Sequence, residues 1–209
     1  MARRVREDAI AVVFRDLLLL LALLMLTLVV LLIPLIKMPK ETAQPDKPAG
    51  DLLAELVWSP ESTADIDIWA EAPNGERVGY LRPRGVIFNL VRDDLGREGD
   101  FSGLNYEFVF ARGIPDGRYR FSVVYYAAND QGPRPEEVRV SIRYRTAANR
   151  MRVIWEGRLV LDHPGQEKAV ASFVMRNGRL VPGSVDFAPF TIFRKVLAEM
   201  GEPYAGGKP

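Results

Sequence analysis

Apolar positions follow two regimes along the chain. From Leu17 to Ile36, twenty consecutive residues carry no charge and twelve of them are leucine. From Leu53 onward, apolar and polar residues alternate in short runs punctuated by Gly, Pro, Asn and Asp. At ~1.5 Å per residue the first run makes a helix about 30 Å long, the thickness of a bilayer's hydrocarbon core. Its sixteen Leu, Val and Ile residues each favour insertion by ~0.3–0.6 kcal/mol, which outweighs the single polar Thr27. The preceding Ala9–Phe14 is also apolar, so the pattern predicts a transmembrane helix over residues 9–36, behind a short cytoplasmic N-terminus of residues 1–8.

Basic residues before an apolar run also begin cleaved signal peptides. This run exceeds the usual signal core, and Ile33-Pro34-Leu35-Ile36-Lys37 offers no small-x-small cleavage site. Four arginines precede the run and two lysines come after it. The positive-inside rule therefore keeps the N-terminus in the cytoplasm and exports the chain beyond Lys37. Residues 37–50 hold three prolines and alternating charges and read as an extended linker.

Beyond it, period-two alternation predicts strands at Leu53–Trp58, Asp65–Glu71 and Arg77–Leu81, the last two joined by a Pro73-Asn74-Gly75 turn. Tyr106–Ala111 and Arg118–Tyr126 read as a hairpin about Pro115-Asp116-Gly117, with Tyr119, Phe121, Val123 and Tyr125 on one face. Val138, Val140, Ile142 and Tyr144 point inward against Arg139, Ser141, Arg143 and Arg145. Met151–Leu161 and Lys168–Arg176 continue the pattern, Asn177-Gly178 marks a turn, and a short helix is expected at Ile192–Met200. The stretch Arg82–Gly103, rich in Gly, Asp and Arg, reads as a long loop, and residues 201–209 as a disordered tail. The fold class is thus one N-terminal transmembrane α-helix plus an all-β antiparallel sandwich over residues 51–200, closed by a short C-terminal helix.

Composition narrows the chemistry. With no cysteine and one histidine, disulfides, thiolate metal sites and a cysteine nucleophile are excluded, and any histidine-dependent catalysis would fall on His163 in a turn-like Asp-His-Pro-Gly stretch. The near balance of 28 basic and 27 acidic residues gives no global field for nucleic acid. Residues 1–40 nevertheless carry six basic and three acidic side chains, a net of +3. No catalytic residues, metal ligands or cofactor are assigned, and an enzyme is not expected. Asp65 and Asp67 lie two apart on one strand face, but no EF-hand spacing completes a calcium site, so a solvated face is expected there. Arg139, Arg143 and Arg145 form a basic stripe that reads as a soluble outer face.

Asp16 is the informative acid. If the helix begins at Ala9 it lies about 10 Å from the helix start, and it shares a face with Leu23, Thr27 and Pro34. Acids at such depth often mark ion or proton paths, whereas Arg15 beside it also allows an interfacial ion pair that snorkels to water. The segment Phe14-Arg15-Asp16-Leu17 to Met25 resembles the transmembrane signature of the ExbD/TolR biopolymer-transport subunits and the related MotB-like stator subunits. That resemblance implies that Asp16 carries protons, with Leu23 and Thr27 on the pore-facing side. It further implies a dimer of this chain inside a pentameric, multi-pass MotA/TolQ/ExbB-like ring in the bacterial inner membrane. Arg15 departs from the family pattern, where an apolar residue usually precedes the aspartate. Val57-Trp58, Asp65-Ile66-Asp67-Ile68-Trp69, Pro73-Asn74-Gly75 and Pro115-Asp116-Gly117-Arg118-Tyr119 resemble the YfaP-like secreted β-sandwich proteins, which implies an exported sandwich without fixing its activity. The expected function is therefore a single-pass subunit of a proton-driven membrane motor, with Asp16 as proton carrier and the sandwich as its extracytoplasmic output or anchoring module; the alternative is a signal-anchored envelope binding module whose helix only tethers.

Overall fold

The computed structural model describes residues 2–32, 50–95, 104–129 and 132–201. The expected linker apart from Gly50, the tail from Glu202, Pro34 and the second part of the Arg82–Gly103 stretch lie outside the described residues. The chain divides into two compact units, Met1–Asp46 and Lys47–Pro209.

The first unit contains one helix, α1 (Ala2–Leu32). It begins seven residues before the expected Ala9, through a stretch with no Gly or Pro to stop it. The described side chains, Val12 to Leu28, are all exposed. Among the described residues, no helix is long and apolar enough to cross a membrane. The uncharged run of the sequence continues past those side chains to Ile36.

The second unit is a sandwich of two five-stranded antiparallel sheets with a short helix after the last strand. In chain order the strands are β1 (Leu52–Trp58), β2 (Asp65–Glu71), β3 (Arg77–Val78), β4 (Phe88–Arg92), β5 (Tyr106–Ala111), β6 (Gly117–Ala127), β7 (Glu136–Arg145), β8 (Met151–Leu161), β9 (Glu167–Arg176) and β10 (Arg179–Leu180), with α2 at Phe193–Met200. One sheet runs β4-β5-β1-β7-β8 and the other β10-β9-β6-β2-β3.

The alternating patterns sort the faces as expected on β6 and β7. Tyr119, Phe121, Val123 and Tyr125 are fully buried, as are Val138, Val140 and Ile142. Phe88 of the first sheet meets Tyr119 and Phe121 of the second edge to face, at 5.9 and 5.6 Å between centroids, and Phe173 stacks on both. Such ring pairs contribute ~0.5–1.5 kcal/mol each beyond area burial. This cluster fixes where β4 crosses the core.

Three expectations need correction. Strands β5 and β6 are not a hairpin: they belong to opposite sheets, so Pro115-Asp116-Gly117 carries the chain across the sandwich. Turn residues signal reversal of the chain but not whether the next strand stays in the same sheet. The Arg82–Gly103 stretch contains β4, because Phe88 and Leu90 supply buried anchors despite the polar residues around them. Finally, β3 is only two residues long.

Two carboxylates replace caps that the local sequence lacks. Glu76, just after the β2–β3 turn, accepts the backbone N–H groups of Val86, Ile87 and Phe88 and so anchors the start of β4. A Cβ on Gly85 would lie 2.0 Å from Glu76 Oε1, so a side chain there would push the Glu76 carboxylate from its place. Glu167 on β9 accepts the N–H groups of Ile192, Phe193 and Arg194, where α2 has no side-chain cap of its own. Its charge also complements the positive end of the helix dipole. Phe193, Val196 and Leu197 thereby cover Trp69 and Val124 on the outer face of the second sheet. Replacing Glu167 by Ala is expected to cost about 1–2 kcal/mol and to lower the unfolding temperature by about 2–8 °C, measured by thermal unfolding of the full chain. An unchanged transition would show that α2 does not depend on this carboxylate.

Candidate functional site

Strand β2 is buried along its whole length, although three of its seven residues are acidic. Ile66, Ile68 and Ala70 face the sandwich core, while Asp65, Asp67, Trp69 and Glu71 share the other face, with Trp69 beneath α2. The expected solvated face for Asp65 and Asp67 is therefore overturned: they retain only 8% and 2% of their exposure. Strand alternation assigns the two aspartates to one side correctly but says nothing about what covers that side.

The three acids of this face meet two different environments. Glu71 receives hydrogen bonds from Arg77, at 2.7 Å from Nε, and from Arg120. Burial raises its pKa, but the two guanidinium partners outweigh burial and hold it below the ordinary value. Asp67 has no such partner. Its Oδ2 and the Oδ1 of Asp65 are buried without a hydrogen bond among the described residues. Burial, with the charges of Asp93 and Asp94, pushes Asp65 up to about 7. Burial, with Asp65 and Asp93, raises Asp67 well above the usual carboxylate range.

Two further acids converge on this edge from the other sheet. Beyond its pairing with β3 at Ala70 and Glu71, the outer edge of β2 pairs with no strand among the described residues. There Glu107 of β5 accepts the Ile68 N–H at 2.7 Å, and its other oxygen accepts the Asp94 N–H at 3.2 Å. Glu107 is fully buried, and burial together with Asp67 raises its pKa in spite of the Ile68 bond. Asp93, just after β4, is exposed at the mouth of the cluster. One carboxylate oxygen each from Asp67, Asp93 and Glu107 lies within 4.8 Å of the others. The adjacent Asp94 is differently employed, accepting from Arg92 and from the Tyr106 N–H. Hence the residues positioned to hold a cation are Asp67, Asp93 and Glu107, with Asp65 next to them.

Sequence reasoning missed Asp93 and Glu107. A signal for Glu107 was present: in Tyr106-Glu107-Phe108-Val109-Phe110-Ala111 the acid shares its register with Val109 and Ala111. The more apolar aromatic set points away, however, and it is Glu107, Val109 and Ala111 that are buried.

The other candidates lie apart from this cluster. On α1, the Arg15 guanidinium stands 3.6 Å from the Asp16 carboxylate, both side chains being more than half exposed. Thr27 donates its hydroxyl to the Leu23 carbonyl at 2.8 Å, so Leu23 and Thr27 are joined along the Asp16 face by a bond within the helix. His163 is exposed in a turn, its Nδ1 2.8 Å from the Pro164 carbonyl oxygen. The arginine stripe is partly engaged: Arg143 bonds Ser141, and Arg145 bonds Asn149 and the Gly50 carbonyl. Comparison with protein-family models, curated proteins and solved structures gives no match for this chain.

The Glu71 environment has a measurable signature. Its folded pKa lies below the ordinary 4.5, so its stabilisation is complete above 4.5 and is lost as pH falls through the folded value. Glu71→Gln is expected to cost about 1–3 kcal/mol near neutral pH, with the deficit shrinking on acidification below that point. Urea unfolding of both proteins across the acidic range measures this, and a deficit independent of pH would contradict the ion-pair origin.

Proposed function

We propose that the chain is a single-pass membrane protein whose β-sandwich is an extracytoplasmic binding module and whose α1 is its anchor. The observation that carries the proposal is the uniformly exposed, apolar surface of α1 from Leu17 to Leu28, continued in sequence by uncharged residues to Ile36. An apolar surface on every side asks for lipid or apolar protein around it. Both polar groups on the face that contains Asp16 have local company. Thr27 bonds its own helix one turn back, and Asp16 has Arg15 beside it. A helix so arranged enters a bilayer without a partner, because the hydroxyl is satisfied and the charged pair sits at the end of the run, where long side chains reach water. The four arginines on its N-terminal side support a cytoplasmic N-terminus in the inner membrane and an exported sandwich.

A second reading is favoured by the position of Asp16 itself, on one helix face with Leu23 and Thr27 and in the context that resembles the ExbD/TolR and MotB-like subunits. In that case a multi-pass, ring-forming partner surrounds a dimer of this chain, and Asp16 carries protons driven by the proton-motive force. Moving one charge through 100 mV supplies ~2.3 kcal/mol, enough to bias a mechanical step.

Native mass spectrometry of the full chain, purified in mild detergent from cells that also express its genomic neighbours, separates the two. For the anchor, the chain is expected alone or self-associated, with membrane retention unchanged by Asp16→Asn. Several copies of a multi-pass protein around two copies of this chain would overturn the anchor in favour of the motor subunit.

A further inference from the structure

We propose that Asp67, Asp93 and Glu107 form a divalent-cation site at the open edge of β2, with calcium as its ion and Asp65 as an additional oxygen donor. The site goes beyond tethering, and it stands or falls independently of the membrane anchor.

The geometry suits calcium. Oxygen ligands bind calcium at about 2.3–2.6 Å, so two ligands on opposite sides of one ion stand about 4.6–5.2 Å apart. The three carboxylate oxygens, all within 4.8 Å of one another, fall inside that limit. The donor set is entirely carboxylate, which suits a hard cation. Zinc's preferred nitrogen and sulfur ligands are not at hand, since the chain has no cysteine and its one histidine is in the exposed β8–β9 turn. Calcium accepts irregular coordination completed by water, whereas magnesium demands near-ideal octahedral geometry.

An acidic cluster alone would not make a site, since carboxylates commonly gather at surfaces. Here the decisive feature is Asp67, which is 2% exposed, with an oxygen that has no hydrogen bond among the described residues. Glu107 has a structural duty of its own, accepting the Ile68 and Asp94 N–H groups. Asp67 Oδ2 has no equivalent duty, and it is packed against other acids. Among the described residues no arginine relieves it: Arg92 is held by Asp94 and lies over the Tyr106 ring, and Arg77 and Arg120 are held by Glu71. A buried carboxylate of this kind is costly unless a cation or a proton neutralises it. A cation bound here would join β2 of one sheet to β5 and the end of β4 of the other, clamping the sandwich along an edge that strand pairing leaves open.

The test is thermal unfolding of the full chain in mild detergent, stripped with a chelator and then titrated with calcium or magnesium. Calcium is expected to raise the unfolding temperature saturably, by about 5–10 °C at a hundredfold excess over the dissociation constant, with magnesium giving a much smaller shift. Asp93→Asn removes a charge that repels Asp65, Asp67 and Glu107, so it is expected to raise the metal-free transition while abolishing the calcium shift. Asp67→Asn keeps the shape and removes the buried charge; it is expected to raise the metal-free unfolding temperature and to remove the calcium shift as well. No calcium response in the unmodified protein, a response equal to that of magnesium, or a response retained in both variants would each overturn the site. The first of these outcomes, together with a stabilising Asp67→Asn, would assign the cluster to shared protons.

Discussion

The sandwich depends on burying β2 on both faces. Its inner residues, Ile66, Ile68 and Ala70, are ordinary core. Its outer face brings three acids and a tryptophan into the protein, and each of these needs a specific neighbour. Trp69 is met by α2, itself held down by Glu167. A Cβ on Gly79 would come within 2.4 Å of the Trp69 ring, so the chain after β3 passes close enough to that ring to require glycine. Glu71 is met by Arg77 and Arg120. Among the described residues, the Asp65–Asp67 end is the one without a compensating charge, and it is there that Asp93 and Glu107 arrive from the opposite sheet. Structural closure and chemical potential are therefore set along one strand: paired charge and aromatic packing at one end, unpaired carboxylates at the other.

The helix poses the complementary problem. In the sandwich, the inward apolar rows are covered by protein; in α1, the side chains from Leu17 to Leu28 are exposed. Neither Thr27 nor Asp16 demands a protein partner, since one bonds within the helix and the other has Arg15 alongside. Hydrocarbon is the simplest surrounding that satisfies such a surface, and in the proposed anchor the arginines before it would set its orientation.

Much of this was legible from the pattern of residues, and the failures have physical causes. β2 begins and ends where alternation places it, and the faces of β6 and β7 emerge directly, because a row such as Tyr119-Phe121-Val123-Tyr125 cannot be left in water. α2 is off by one residue at its start. Strand β4 was hidden because its flanks are rich in Asp, Arg and Gly; its identity rests on Phe88 wedging between two rings distant in sequence. The β5–β6 connection misled because Pro115-Asp116-Gly117 encodes a change of direction and not a sheet. The carboxylate cluster was half visible: Asp65 and Asp67 share a face by simple periodicity, but Glu107 comes from a row whose aromatic alternative looked more like core. Clusters assembled across two sheets are set by tertiary register, which no local spacing records.

The absence of cysteine makes the anchored, exported arrangement directly testable, since a single introduced thiol reports alone. Val86→Cys places one on an 86% exposed sandwich residue, and Arg3→Cys places one ahead of the apolar run. In intact spheroplasts treated with a membrane-impermeant maleimide, labelling at position 86 without permeabilisation, and at position 3 only after it, is the expected result. Labelling at position 86 only after the membrane is opened would contradict an exported sandwich.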